Sequence, residues 1–255
     1  MAPVESPTED LVQTEKMPVR TLGVIPARGG SKGVPRKNIA PLHGRPLIQY
    51  TIEAARSSRL LGRVLVSSED DEIITIAQEL GAEVPFRRPA DLARDDATAV
   101  AVACHALRFV EEEEKGVYDF VALLEPTAPL RKAQDIDEAL GLLTSSGADS
   151  VAGVCRLEAP HPAKLKVIEE GRIRPFLPGL WREGLKRQDL EPVYFLNGAI
   201  YAVRRDVLVE KKTFWGERTI PYIMPPERSV NIDTWLDLRL AEALMGERTS
   251  GGNAR

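Results

Sequence analysis

Val24-Ile25-Pro26-Ala27-Arg28-Gly29-Gly30-Ser31-Lys32-Gly33-Val34-Pro35-Arg36-Lys37-Asn38 couples the end of an apolar run to a basic, glycine-rich loop. The run covers residues 19–25 and halts at Pro26, the pattern of a short strand buried on both faces of a parallel sheet. Gly29, Gly30 and Gly33 let backbone N–H groups come close to an anion, and Arg28, Lys32, Arg36 and Lys37 put four cations within ten positions. Open amides beside several cations suit a triphosphate. Ligands of open α/β sheets sit at the carboxyl ends of strands, where this loop begins. The spacing is neither the GxxxxGK[ST] of a P-loop nor GxGxxG. A basic surface turn would account for Gly29-Gly30 alone about as well. It accounts poorly for the whole string placed directly after a buried strand.

Outward from the loop, strands and helices alternate. Pro46 opens a helix over residues 46–57 with Leu47, Ile48, Ile52 and Ala55 on one face. Strands are expected at 63–67, 82–86, 118–124, 150–154 and 199–203, and helices at 70–80, 96–114, 135–145 and 233–244. Repeated βα units of this kind predict a doubly wound, mostly parallel α/β sheet with right-handed crossovers. Residues 161–188 break the pattern with Pro, Gly and basic residues, and read as an arm leaving the sheet, within about 156–195. Residues 1–18 read as a disordered leader, 19–245 as one domain and 246–255 as a disordered tail.

A net charge of −4 argues against a nucleic-acid partner, which would favour a basic excess. Local basic clusters still permit a small anionic substrate. Cys104 and Cys155 lie far apart and have no CxxC spacing, so neither a disulfide framework nor a zinc site is expected. His43, His105 and His161 are scattered without ligand spacing, and Cys104 and His105 on the long helix read as packing residues. The absence of a long apolar run argues against a membrane partner, and the cytoplasm is the default compartment.

The loop resembles the signature of the acylneuraminate cytidylyltransferases, also called CMP-sialic acid synthetases. The likeness extends over residues 22–244. It takes in Gly44-Arg45-Pro46-Leu47-Ile48, Val66-Ser67-Ser68-Glu69-Asp70, Arg87-Arg88-Pro89, Glu125-Pro126-Thr127-Ala128-Pro129-Leu130-Arg131, Ala148-Asp149-Ser150-Val151, Asn197-Gly198-Ala199-Ile200-Tyr201 and Asn231-Ile232-Asp233-Thr234. Each piece is short, and their order and spacing together are specific.

That resemblance implies a Rossmann-like nucleotidyltransferase fold with an inserted hairpin arm, a homodimer formed through the arm, and Mg²⁺-dependent transfer from CTP to an acidic 2-keto sugar. It implies that Arg28, Lys37 and Asp233 are catalytic. Ala27, Arg28, Gly29, Gly30, Ser31, Lys32, Lys37, Asn38 and Arg88 would bind the nucleotide. Glu125, Thr127, Arg187, Gln188, Tyr194 and Asn197 would bind the sugar, and Asp233 with Asn231 would bind the metal. As a plain helix start, Asp233 also reads as an N-cap. The chain departs from the family twice: Glu125 stands where Gln is usual, and Asn231-x-Asp233 where Asp-x-Asp is common. Both departures bear on the identity of the sugar and on the metal. The alternatives are another nucleotide such as GTP, an eight-carbon keto acid, or a non-catalytic homologue that only binds nucleotide or sugar.

Overall fold

The apolar run forms β1 (Thr21–Pro26), and every residue through Ile25 is buried. A computed structural model describes residues 19–184 and 186–250, with Arg187 and 247–250 described by their backbone alone. The expected leader at 1–18 and positions 251–255 of the expected tail lie outside the described residues.

After β1 come the short pair β2 (Pro41–Leu42) and β3 (Arg45–Pro46), then α1 (Leu47–Arg56), β4 (Arg63–Ser67), α2 (Asp71–Glu79) and α3 (Ala99–Glu114). Next are β5 (Phe120–Leu123), α4 (Ala133–Ser146), β6 (Ser150–Arg156), β7 (Lys166–Glu169) and β8 (Arg172–Pro175). The chain closes with β9 (Tyr194–Arg204), α5 (Arg205–Glu210), β10 (Thr219–Met224) and α6 (Trp235–Ser250).

Six strands make the main sheet in the order β10-β6-β9-β5-β1-β4. β1 runs parallel to both neighbours, with Ile25 opposite Val66 and Val24 opposite Leu123. β9 is the antiparallel member, set between β5 and β6. The sheet is therefore mostly parallel, as its repeated βα units predict. Alternation along β1 explains the two covering layers. Leu22 and Val24 join α3 residues Ala103, Ala106 and Leu107 on one face, whereas Ile25 joins Ile48 and Ile52 of α1 on the other. Each such Leu or Ile contributes about 1.5–3 kcal/mol by leaving water.

The chain leaves β1 for β4 on one side and later returns to β5 on the other. That reversal opens a crevice at the carboxyl ends of β1, β4 and β5. The first βα loop hangs over it.

Several elements differ from expectation. Residues 82–86 make only single bridges, Leu65 to Glu83 and, just beyond, Ser68 to Arg87; Pro85 between them has no N–H for a ladder. α5 and β10 are additional. α6 continues to Ser250, so the expected tail begins inside a helix; one Gly246 costs about 1 kcal/mol of helix propensity and does not stop it. The arm contains the expected hairpin, β7–β8, whose turn places Glu170 and Gly171 both at positive φ.

Candidate active site

The crevice holds a cavity of about 600 Å³. Arg28, Gly30, Ser31, Lys32, Gly33, Lys37 and Asn38 line it from the first loop, Arg88 and Arg94 from the segment after β4, and Glu125, Pro126 and Thr127 from the end of β5. Asn231 and Asp233, almost two hundred residues downstream of the loop, complete the wall.

Packing pins the loop at both ends. Asn38 is buried and its Nδ2 donates to Arg28 O at 2.9 Å, tying the start of the loop to its end. A Cβ on Gly33 would stand 2.1 Å from Asp233 O, so only glycine lets the loop pass this close to the start of α6. Two amides expected to face the ligand are already engaged: Ala27 N–H donates to Ser67 O at 2.9 Å and Gly29 N–H to Glu69 Oε1 at 2.7 Å. Gly30 and Ser31 remain at the cavity wall.

The cations sort into four settings. Arg28 Nη1 and Lys32 Nζ both meet the carboxylate of Asp95, at 2.8 and 2.7 Å. Lys32 first, and Arg28 second, hold the Asp95 carboxyl below its usual range. Lys37 Nζ donates to Ile232 O and to Asp233 Oδ1, each at 2.8 Å. Arg36, counted with the loop cations in the sequence, turns away: its φ of 50° sends the guanidinium to Asp70 and Glu72. Arg88 is 4% exposed and clamps Ser67 through its Oγ and carbonyl, with Glu69 at 3.9 Å; burial lowers its pKa.

Asp233 is free to serve the cavity because it is not the helix cap. Thr234 caps α6: its Oγ1 accepts from Asp237 N at 3.3 Å, and Asp237 Oδ2 accepts from Thr234 N at 2.7 Å. Asp233 keeps its side chain 73% exposed, held on one oxygen by Lys37. Beside it, Asn231 Oδ1 is buried and has no hydrogen-bond partner among the described residues. An orphaned carbonyl oxygen next to a carboxylate is a donor set that fits a hard divalent cation, which keeps waters and substrate phosphates as its remaining ligands.

Glu125 sits at the inner wall. Burial raises its pKa and Asp233 raises it further, against Arg131 and Lys37. Arg131, fully enclosed and pushed down to about 10 by burial, anchors the loop from behind through Ala199 O, Glu125 O and Thr51 Oγ1. Thr127 Oγ1 lies 3.5 Å from Glu125 Oε2. Tyr201 is held behind this wall, its hydroxyl pushed up to about 12 by burial and by Glu125.

The residues expected at the sugar divide. Glu125 and Thr127 line the cavity, whereas Asn197, Gln188 and Tyr194 do not. Asn197 is fully buried, donating to Ser229 Oγ and Met224 Sδ and accepting from Ala199 N–H at 3.1 Å; it fastens β9 to the segment before α6. Gln188 and Tyr194 are exposed on the arm and at the start of β9, and Arg187 opens a short 3₁₀ turn there. The side chain of Arg187 lies outside the described residues. His105 packs edge-on against Phe86 with its pKa lowered by burial, and Cys104 contacts Leu208 O, matching their reading as packing residues. Asp95 and Glu69 are the partners that the sequence did not single out. An Arg-Asp-Asp triplet before a helix was the available signal, and nothing in it names Arg28 or Lys32.

A family model described as Cytidylyltransferase matches residues 22–170. A CMP-N,N'-diacetyllegionaminic acid synthase of Legionella pneumophila is 35% identical over 234 residues, covering 89% of this chain and 97% of that protein. An N-acylneuraminate cytidylyltransferase of Streptococcus agalactiae serotype V is 34% identical over 218 residues, covering 85% of this chain; the chain spans about half of that relative, 51%. Among solved structures, a CMP:2-keto-3-deoxy-manno-octonic acid synthetase complexed with CTP superposes with a TM-score of 0.64 at 20% identity, covering 90% of this chain and 99% of that one. At that identity the superposition speaks for the fold. Among the described residues no helix is long and apolar enough to cross a membrane.

Proposed function

The chain belongs to the cytidylyltransferase family and is a nucleotidyltransferase, and we propose that it couples CTP to an acidic 2-keto sugar of the nonulosonic class, releasing pyrophosphate. The observation that carries this reading is the convergence of Arg28, Lys32, Lys37 and Asp233, from opposite ends of the chain, on one cavity beside Glu125 and Thr127.

The residues divide the work. Arg28 and Lys32 leave Asp95 and take the β- and γ-phosphates, while Lys37 meets the α-phosphate from its seat on Asp233. Charge that develops on the non-bridging and leaving oxygens meets cations already in place, and such preorganised charge is usually the largest catalytic term. Arg88 holds the nucleoside end, where Leu92, Ala97 and Val102 give the cavity its apolar lining. The sugar lies against Glu125 and Thr127, its anomeric hydroxyl facing the α-phosphorus. Asp233 and the Asn231 carbonyl oxygen would hold Mg²⁺, which would supply further neutralisation of the phosphates.

A homodimer is part of the same reading. Ile168 and Ile173 on β7–β8 are 75% and 71% exposed, with Phe176 also open. A two-stranded hairpin is marginal alone and gains by burying such a face against a second copy.

The test is pyrophosphate release with Mg²⁺, each of the four nucleoside triphosphates, and a panel of acidic sugars of eight and nine carbons. Release with CTP and a nine-carbon keto acid is expected. Release with GTP in preference to CTP, or with an eight-carbon acid alone, moves the reading to those partners, and no release with any pair contradicts it.

A further inference from the structure

The peptide unit that joins Arg28 to Gly29 is held at both poles. Its carbonyl, Arg28 O, accepts from Asn38 Nδ2 at 2.9 Å, and its N–H donates to Glu69 Oε1 at 2.7 Å. A peptide plane tied at both ends cannot turn, so the backbone on which the Arg28 side chain stands is fixed. Gly29 cannot slide sideways either. A Cβ built on it would stand 3.0 Å from Asp70 Cγ and 3.1 Å from Asp70 Cβ. Asp70 is itself held in place by Ile73 N–H and the Arg36 guanidinium. One residue on, a Cβ at Gly30 would meet nothing within 4 Å. The phosphate loop therefore has a fixed base at residues 27–29 and an open tip.

Glu69, between β4 and α2, is not among the cavity-lining residues, yet its second oxygen faces the other end of the cavity. Oε2 is buried, has no hydrogen-bond partner among the described residues, and lies 3.9 Å from Arg88 Nη1. Arg88 is otherwise committed to Ser67, through Nε to Oγ at 3.1 Å and through Nη2 to the carbonyl. Burial lowers the Arg88 pKa; Glu69 works against that shift and Arg28 adds to it. Two arginines that repel each other thus stand on either side of one carboxylate. A buried carboxylate oxygen without a hydrogen bond is uncommon and calls for a reason. Keeping a buried guanidinium charged and in place is such a reason.

Resting on the function proposed above, we propose that Glu69 is a positioning residue: with one oxygen on the Arg28–Gly29 peptide and the other toward Arg88, it holds the triphosphate loop and the nucleoside-side arginine in register along a single nucleotide. It touches no substrate atom. It sets the spacing between Arg28 and Arg88, and that spacing decides where the α-phosphorus lies. Misplacement on the scale of 1 Å costs rate more than affinity.

The test is steady-state kinetics of the full-length protein with CTP and a nine-carbon keto acid. Glu69→Gln keeps an oxygen for Gly29 N–H and removes the charge that faces Arg88. It is expected to lower kcat by about tenfold or more and to change KM for CTP by less than about threefold. Glu69→Asp keeps the charge but is too short to serve both partners. The same loss of kcat is expected there, and it reports on the residue even where Glu69→Gln fails to fold. In an Arg88→Gln background, Glu69→Gln is expected to cause little further loss, because the partner it acts through is gone. A merely structural role would add the same loss in both backgrounds. Hydrogen exchange of the natural chain without substrate checks the loop half: the Gly29 amide is expected to exchange at least tenfold more slowly than that of Gly30. Natural kcat in the Glu69 variants, equal losses with and without Arg88, or a Gly29 amide as labile as that of Gly30 overturns the positioning role and leaves the cytidylyltransferase reading intact. A natural chain that releases no pyrophosphate from CTP with any sugar acid overturns the function, and with it the role of Glu69 in that reaction.

Discussion

Asp95 holds two cavity cations at once, with a single carboxylate bridging Arg28 and Lys32 at hydrogen-bond distance. On the proposed function, a substrate phosphate competes with Asp95 for both cations. Asp95→Asn should therefore bind CTP severalfold more tightly in calorimetry, with a steeper fall as salt rises, because cations freed of their internal partner are screened by ions instead. Weaker binding would instead make Asp95 a necessary brace of the loop. At Asp233 the expectation is opposite in sign. Asp233→Asn and Lys37→Ala should each lower kcat by about a hundredfold or more while melting near the natural temperature, since both side chains face the cavity rather than the core. Arg36→Gln is the control: its guanidinium faces Asp70 and Glu72, and KM for CTP should stay near the natural value. Charge and composition made most of these residues legible in the sequence. Their partners were not, because Arg28 meets Asp95 and Lys37 meets Asp233 only through the fold. Asn197 shows the same limit from the other side: an asparagine beside the site motif reads as a ligand, yet its three hydrogen bonds all serve the β9 junction.

The start of α6 is where an element sets the chemistry. Thr234 and Asp237 cap the helix reciprocally, which releases Asp233 from a capping role and fixes its backbone against Gly33. Asp237→Ala should cost about 1 kcal/mol of stability, the usual worth of a cap, measured by urea unfolding. It should also lower kcat without touching any substrate, and a loss of stability with kcat unchanged would separate the cap from the site. Elements with a strong period were read correctly from sequence: the β1 apolar run, the stripe of α1, and β4 with its neighbour α2. Those missed lack such a period. β10 carries Pro221 and sits at the sheet edge, where a missing N–H is tolerated. β9 is longer than its apolar segment, because its first residues, Tyr194 to Leu196, are exposed and belong to the arm side.

Across the whole molecule, the sheet brings residues 28–38, 88–95, 125–127 and 231–233 to one crevice, and none of the described arm side chains lines it. The arm's exposed isoleucines give the dimer a specific test: Ile173→Glu should convert a dimer to a monomer in light scattering, and a natural chain that is monomeric throughout would contradict the proposed assembly. On the proposed function, this crevice transfers the cytidylyl group of CTP to a sugar acid, with pyrophosphate leaving. Phosphorus NMR of the protein with CTP, Mg²⁺ and a nine-carbon keto acid reads that transfer atom by atom. The expected spectrum shows the α-phosphorus moving into a sugar phosphodiester in step with pyrophosphate, and the same mixture with Lys37→Ala staying as CTP. Formation of CDP and inorganic phosphate, or a diester that forms equally fast with the Lys37 variant, would contradict it.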